Sequence, residues 1–216
     1  MARGTLITIE GIDGAGKSTL ARALATALGE RGTPVELLRE PGGVELSERI
    51  RALVKDPGLE VGARAEALLY AAARAQLVQE RVEPLLAGGG TVLLDRFVDS
   101  SLAYQGAARG LGVQAVREIN ELATAGLVPA RTLLLRIDPA AGRRRLRERE
   151  GAESEPDRLE REHDGFFAAI AEAYEELARA EPQRFRTIDA AQAPSAVLAD
   201  ALAALSDLPL AAADAH

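Results

Sequence analysis

Residues Gly11-Ile-Asp-Gly-Ala-Gly-Lys-Ser18 constrain this chain more than any other stretch. A short apolar strand precedes them and a helical period begins near Lys17, so the segment matches a P-loop in both spelling and context. Glycines at 11, 14 and 16 let successive backbone N–H groups curl around an anion, and the helix N-terminus adds partial positive charge. Gly11, Ile12, Asp13, Gly14, Ala15, Gly16, Lys17, Ser18 and the adjoining Thr19 are therefore candidates for cradling the phosphates of ATP. Lys17 is placed to reach the terminal phosphates, and the Ser18 hydroxyl to ligate Mg²⁺. The lysine is notable in itself. The chain holds 24 arginines and only two lysines, Lys17 and Lys55, so a compact ammonium is kept at a position where a planar guanidinium would not serve.

Beyond the loop, short apolar runs alternate with longer helical periods. Strands are predicted at Leu6–Glu10, Val35–Arg39, Thr91–Asp95, Thr132–Ile137 and Phe185–Ile188. Helices are predicted at Lys17–Leu28, Glu45–Lys55, Ala63–Val82, Val113–Ala125, Ala140–Arg149, Asp164–Ala180 and Ala193–Leu205. In the third helix Leu68, Leu69, Ala72, Ala73, Leu77 and Val82 are expected to face inward. Strands separated by helices pair in parallel through right-handed crossovers. The expected fold is therefore α/β, a P-loop NTPase-type three-layer sandwich with a parallel sheet of about five strands covered on both faces. At 216 residues the chain suits one domain over residues 1–210, followed by a short tail at 211–216.

Composition removes whole classes of function. The absence of cysteine excludes disulfides, thiolate zinc sites and cysteine nucleophiles, and suits a reducing compartment. No apolar run reaches the roughly 18 residues of a membrane span, nor the length of a signal peptide, so a cytoplasmic protein without a membrane partner is expected. A net charge of −7 argues against a general nucleic-acid surface. One local exception lies at 143–149, where five of seven residues are arginine, directly before the acidic, apolar-poor segment 150–164. Together they suggest a lid at about 143–163.

The remaining candidates lie at strand ends or on the helices that follow them. Asp95 closes the apolar run Val92-Leu93-Leu94, where open sheets collect ligands, and should help Ser18 hold the metal. Arg96 follows it. Arg39 ends the second strand before the turn Glu40-Pro41-Gly42-Gly43, and Arg51 lies on the next helix; with Arg96 they could form a second phosphate site. Tyr70 and Arg74, four apart on one helical face, suit a nucleobase, one by stacking and the other by bonding an edge. Asp99-Ser-Ser-Leu-Ala-Tyr-Gln-Gly106 adds hydroxyls, an amide and a second tyrosine. An Asn-Lys-x-Asp guanine signature, which would mark a GTPase, cannot occur with lysines only at 17 and 55.

Taken together, Glu10–Thr19, Arg39–Gly43, Leu69–Leu77 and Asp95–Gly106 resemble the bacterial thymidylate kinases in order and spacing over roughly residues 3 to 205. The resemblance implies ATP- and Mg²⁺-dependent phosphorylation of dTMP to dTDP, a step toward dTTP, by a homodimer. It also implies individual roles: Tyr70 stacks on thymine, Arg74 bonds a base carbonyl, and Ser101 and Gln105 line the base edge. Tyr104 crowds the sugar C2′ and Asp13 meets the 3′-hydroxyl. Arg39 and Arg96 hold the acceptor phosphate, with Pro41 and Arg51 beside the nucleotide. In that family an arginine acts on the transferred phosphoryl from either the P-loop or the lid. The loop interior here is Ile-Asp-Gly-Ala, so the duty is expected to fall on Arg145, Arg147 or Arg149. The neighbouring expectation is a kinase of another nucleoside monophosphate.

Overall fold

The structure, a computed structural model, describes residues 3–150 and 157–210, apart from the side chains of residues 149 and 150. Strands β1 (Thr5–Glu10), β2 (Val35–Arg39), β3 (Thr91–Asp95), β4 (Arg131–Arg136) and β5 (Phe185–Asp189) form one sheet. All pairings are parallel, and the order is β2-β3-β1-β4-β5. Helices α1 (Lys17–Glu30), α2 (Glu45–Lys55), α3 (Ala63–Leu77), α4 (Glu83–Ala87), α5 (Val98–Ser101) and α6 (Val113–Thr124) occupy the first two thirds of the chain. Then come α7 (Pro139–Glu150), α8 (Asp164–Ala180) and α9 (Pro194–Ala204).

Because β-strand side chains alternate, each strand feeds both layers. Leu6, Val92 and Leu94 pack with Leu38 against Leu77, Val82 and Leu86 of the α3–α4 layer. Ile7, Ile9, Leu93, Leu133 and Leu135 turn the other way and join Leu20, Leu24 and Leu28 of α1. Burial on both faces explains why the strands read as unbroken apolar runs rather than as alternating ones. β1 is central, and register sets Arg39 of β2 and Ile9 of β1 beside Asp95 of β3. The carboxyl ends of three adjacent strands thus deliver Glu10, Arg39 and Asp95 to one edge.

Two helical expectations need correction. The helix foreseen from Ala63 to Val82 ends as α-helix at Leu77, widens into a π turn over Val78–Val82 and resumes as α4. Pro84 has no N–H for the carbonyl four residues earlier, and the wider turn absorbs that gap. The inward face also differs: Leu68 is 56% exposed and Ala72 is in solvent, while Glu66, Ala67, Ala71 and Arg74 are buried with Ala73 and Leu77. Hydrophobicity misidentifies this face because its charged members are paired inside the protein. The segment after Asp95, for which the sequence pattern predicts no element, is α5 running into a second π-helical stretch at Leu102–Ala108. The foreseen tail at 211–216 and the lid core at 151–156 lie outside the described residues.

Candidate active site

The loop after β1 leaves the strand at Gly11 and enters α1 at Lys17. Two of its glycines are required by space as well as by backbone conformation. At Gly11, with φ +138°, a Cβ would meet the Leu135 carbonyl oxygen at 2.6 Å; at Gly14, with φ +79°, it would meet the Gly142 carbonyl oxygen at 1.9 Å. The loop is therefore pressed backbone to backbone against the start of α7. Lys17 is buried, and its Nζ donates to the Ile12 carbonyl at 2.7 Å. Burial, and then the nearby Arg96 guanidinium, lower the Lys17 amine to about 8. Ser18 Oγ donates to Asp95 Oδ2 at 2.5 Å, so the two expected metal ligands already meet. A hydroxyl and one carboxylate suit Mg²⁺, which takes few protein oxygens and fills the rest with phosphate and water. Among the described residues no cluster of three or more acidic or histidine ligands exists that would suggest another metal.

Beside the loop is a cavity of about 400 Å³ lined by Asp13, Gly14, Gly16, Lys17, Ser18 and Thr19 on one side. Arg39, Pro41, Arg51, Tyr70, Arg74, Asp95, Arg96, Ser101, Tyr104 and Gln105 also line it. These side chains, spread over more than ninety residues of sequence, share one space. Arg96 has a left-handed backbone, φ +74°, which is costly for a side chain of this size. Its amide donates to the Ile9 carbonyl at 3.0 Å, and the next amide, of Phe97, donates to Glu10 Oε1 at 2.7 Å. Fixed in this way, the guanidinium donates to Asp13 Oδ1 at 2.5 Å and to Ser100 Oγ at 3.0 Å, with its carbon 4.9 Å from the centre of the Tyr104 ring. Tyr104 OH donates to the other Asp13 oxygen at 2.8 Å. Burial acts to raise the Asp13 carboxyl, but Arg96 and Lys17 outweigh it and hold the group well below the usual carboxylate range.

Arg39 is half exposed and pairs with Glu48 at 2.7 Å, while Arg51 donates to the Pro41 carbonyl at 2.9 Å. Arg74 is 2% exposed and its donors reach protein groups: Glu40, Ser101, Asn120 and the Phe97 carbonyl. It lines the cavity beside Ser101, to which it donates. Of the arginines on α7, Arg145 faces a second cavity and donates to the Ala190 carbonyl at 2.7 Å. Arg147 is exposed and lines neither cavity, and the Arg149 side chain is not among those described.

Several contributors had no sequence signal that singled them out. Glu10 is fully buried and also accepts from Ser100 Oγ at 2.6 Å and Tyr174 OH at 2.9 Å. Burial, with Asp99 adding to it, raises its carboxyl to about 7. The second cavity, also about 400 Å³, shares Gly14, Gly16, Thr19 and Leu146 with the first and continues past Arg145 to Gln192, Pro194 and Val197. A largely apolar slot leading away from a phosphate loop suits a nucleobase, and its position beyond the carboxyl end of β5 could have been foreseen. Residues after the undescribed segment reach the first cavity: Asp157 pairs with Lys55 at 2.7 Å, Arg158 Nε donates to the Val54 carbonyl at 3.0 Å, and Leu159 lines the wall.

A phosphate loop with one cavity on each side can hold two nucleotides end to end. Comparisons with known proteins identify the family. The family model described as thymidylate kinase matches residues 9–201. The chain belongs to the thymidylate kinase family. The Deinococcus radiodurans thymidylate kinase is 45% identical over 207 residues, covering 96% of this chain and 98% of that protein. The Oenococcus oeni thymidylate kinase is 46% identical over 206 residues, covering 94% and 95%. Among solved structures, thymidylate kinase from Ehrlichia chaffeensis superposes with a TM-score of 0.76 at 26% identity, covering 94% of this chain and 99% of that one. Membership makes the chain an ATP-dependent nucleotide kinase, built on the five-stranded P-loop fold that the sequence implied. Among the described residues no helix is long and apolar enough to cross a membrane.

Proposed function

We propose that this chain transfers the γ-phosphoryl group of ATP to the 5′-phosphate of dTMP across the Lys17 loop, with the residues assigned as follows. The observation that carries the reading is the convergence of Arg39, Arg51 and Arg96 with Lys17 on one cavity. One cation group serves the donor and the other the acceptor. ATP occupies the second cavity with its base, and its phosphates run along the loop N–H groups to Lys17. dTMP occupies the first, its base against Tyr70 and its edge toward Ser101 and Gln105, its 3′-hydroxyl toward Asp13 and its phosphate on Arg39 and Arg96. Ser18 and Asp95 would hold Mg²⁺, which when bound supplies charge neutralisation on the phosphate oxygens.

The chemistry needs alignment more than a base, because the acceptor oxygen is already anionic. Arg96 and Arg39 hold that oxygen in line while Lys17 offsets charge developing on the travelling group. Loop N–H groups meet the same charge from below. Arg147 and Arg149 are the proposed lid donors, and Arg145, beside the second cavity, acts at the ATP end. Excluding water, which would otherwise compete as acceptor, falls to the side chains around the first cavity, Leu146 and Leu159 among them. The enzyme is further proposed to work in the cytoplasm as a homodimer. Helices α2, α3 and α6 pack in sequence and leave Leu46, Leu53, Leu68 and Leu122 in solvent, a surface that a second copy would cover.

A panel of nucleoside monophosphates with ATP, read by ADP release, tests the reading. The expected result is turnover with dTMP far above that with adenylate, guanylate or cytidylate. Preference for another base would overturn the substrate assignment, and ATP binding without acceptor-dependent turnover would overturn the transfer itself.

A further inference from the structure

Glu66, in the first turn of α3, is wholly out of solvent, yet it does not line the cavity and takes no part in phosphoryl transfer as derived above. A buried carboxylate persists only when it is paired. Its partners are Gln105 Nε2 at 2.9 Å, Arg109 Nε and Nη2 at 3.3 and 3.2 Å, and the Arg158 guanidinium at 2.6 Å. Arg109 is itself held, over the Phe166 ring at 4.7 Å and on Glu162 at 2.5 Å.

Gln105 does line the cavity. A glutamine amide can present either of two faces, a donating NH₂ or an accepting carbonyl, and the hydrogen-bond network decides which. A carboxylate between two guanidinium groups can only accept, so the Gln105 NH₂ turns to Glu66 and the carbonyl is left for the cavity. Ser101 complements it. Its Oγ accepts from Arg74 Nη1 at 2.9 Å, which leaves the hydroxyl proton free to donate.

We propose that Glu66 is a specificity-determining positioning residue: by fixing the Gln105 amide it makes the cavity offer an acceptor next to a donor. Such an edge matches a pyrimidine with a protonated ring nitrogen beside a carbonyl, as in thymine and uracil. It opposes cytosine, whose ring nitrogen is bare and whose neighbour is an amino group. Cytosine would set its bare ring nitrogen against the Gln105 carbonyl, acceptor against acceptor, a mismatch that cannot be relieved while Glu66 holds the amide. The inference rests on the proposed dTMP-kinase reading of the same cavity.

The test measures kcat/KM for dTMP, dUMP and dCMP on the full-length wild type, Glu66→Gln and Gln105→Ala. A glutamine at 66 can itself donate, which frees the Gln105 amide to rotate. The dTMP/dCMP ratio should then fall by about tenfold or more, through rising dCMP turnover as well as a raised KM for dTMP. The dTMP/dUMP ratio should stay constant, because those two bases share the edge in question. A merely structural Glu66 would lower all three rates together and leave both ratios unchanged, which would overturn the inference. Should Glu66→Gln fail to fold, Gln105→Ala decides: its dTMP/dCMP ratio must fall, and an unchanged ratio would overturn the inference equally. Wild-type preference for dTMP with an unaltered ratio in the variants removes only this inference. Absence of wild-type turnover on all three pyrimidines removes the proposed function with it.

Discussion

Asp13, Arg96 and Tyr104 hold each other through one carboxylate, one guanidinium and one phenol. Tyr104→Phe keeps the ring under Arg96 and deletes the hydroxyl that braces Asp13. Loss of a hydrogen bond to a charged group costs about 1.5–3 kcal/mol, so kcat/KM for dTMP should fall by about tenfold or more in steady-state assays, mostly through KM. Glu10 gives a pH prediction. Its carboxyl is raised to about 7 from 4.5 by burial and then by Asp99. Between those values the folded protein keeps a proton that the unfolded chain has released, so the Glu10 contribution to stability is lost as pH rises through that window. Glu10→Gln cannot titrate, and its Tm relative to wild type should climb between pH 4.5 and about pH 7; parallel Tm curves would refute this. Asp13 has the opposite sign: its lowered carboxyl stabilises the fold above the usual carboxylate range, and that contribution is lost on acidification. The loop and its lysine were legible from sequence because their spacing is rigid and local. The partners of Arg74 were not, since Glu40 and Asn120 are brought to it by β2 and α6, and no short-range pattern encodes that meeting.

The contact between the phosphate loop and α7 leaves no room for a side chain at Gly142. A Cβ on Gly142 would stand 2.8 Å from the Asp13 carbonyl oxygen and 3.1 Å from Ile12, with backbone on the nearer side. Gly142→Ala should therefore tilt the arginine-bearing helix away from the loop. The expected outcome is a drop in kcat of about tenfold with a smaller change in Tm, since strain of this kind costs about 1–3 kcal/mol; an unchanged kcat would separate α7 from the chemistry. Arg147→Ala and Arg149→Ala probe the same helix farther along, and at least one of them should lower kcat. Element positions were mostly readable: β2, α2 and α8 fall where the periodicity placed them. The π turns at Val78–Val82 and Leu102–Ala108 were not, because a widened turn changes the period only briefly. The second of these carries Tyr104 and Gln105, two side chains that line the first cavity.

For the whole molecule, alternation of strand and helix announced a parallel sheet, whereas the order β2-β3-β1-β4-β5 is a tertiary fact with no local cue. Exposed leucines raise the question of assembly. Leu53 is 48% exposed on α2 and Leu68 56% exposed on α3, two helices that pack together. If this surface closes a homodimer, Leu53→Glu combined with Leu68→Glu should shift sedimentation from two copies to one at micromolar protein, since buried like charges oppose association. An unchanged sedimentation coefficient would place the interface elsewhere. The wall shared by the two cavities has a pharmacological corollary. Gly14, Gly16 and Thr19 face both spaces, so a single compound with a nucleoside at each end of a polyphosphate chain could span them without a gap. Its second half would bind as a tethered group at high effective concentration rather than as a free molecule, and chain length alone would tune its grip.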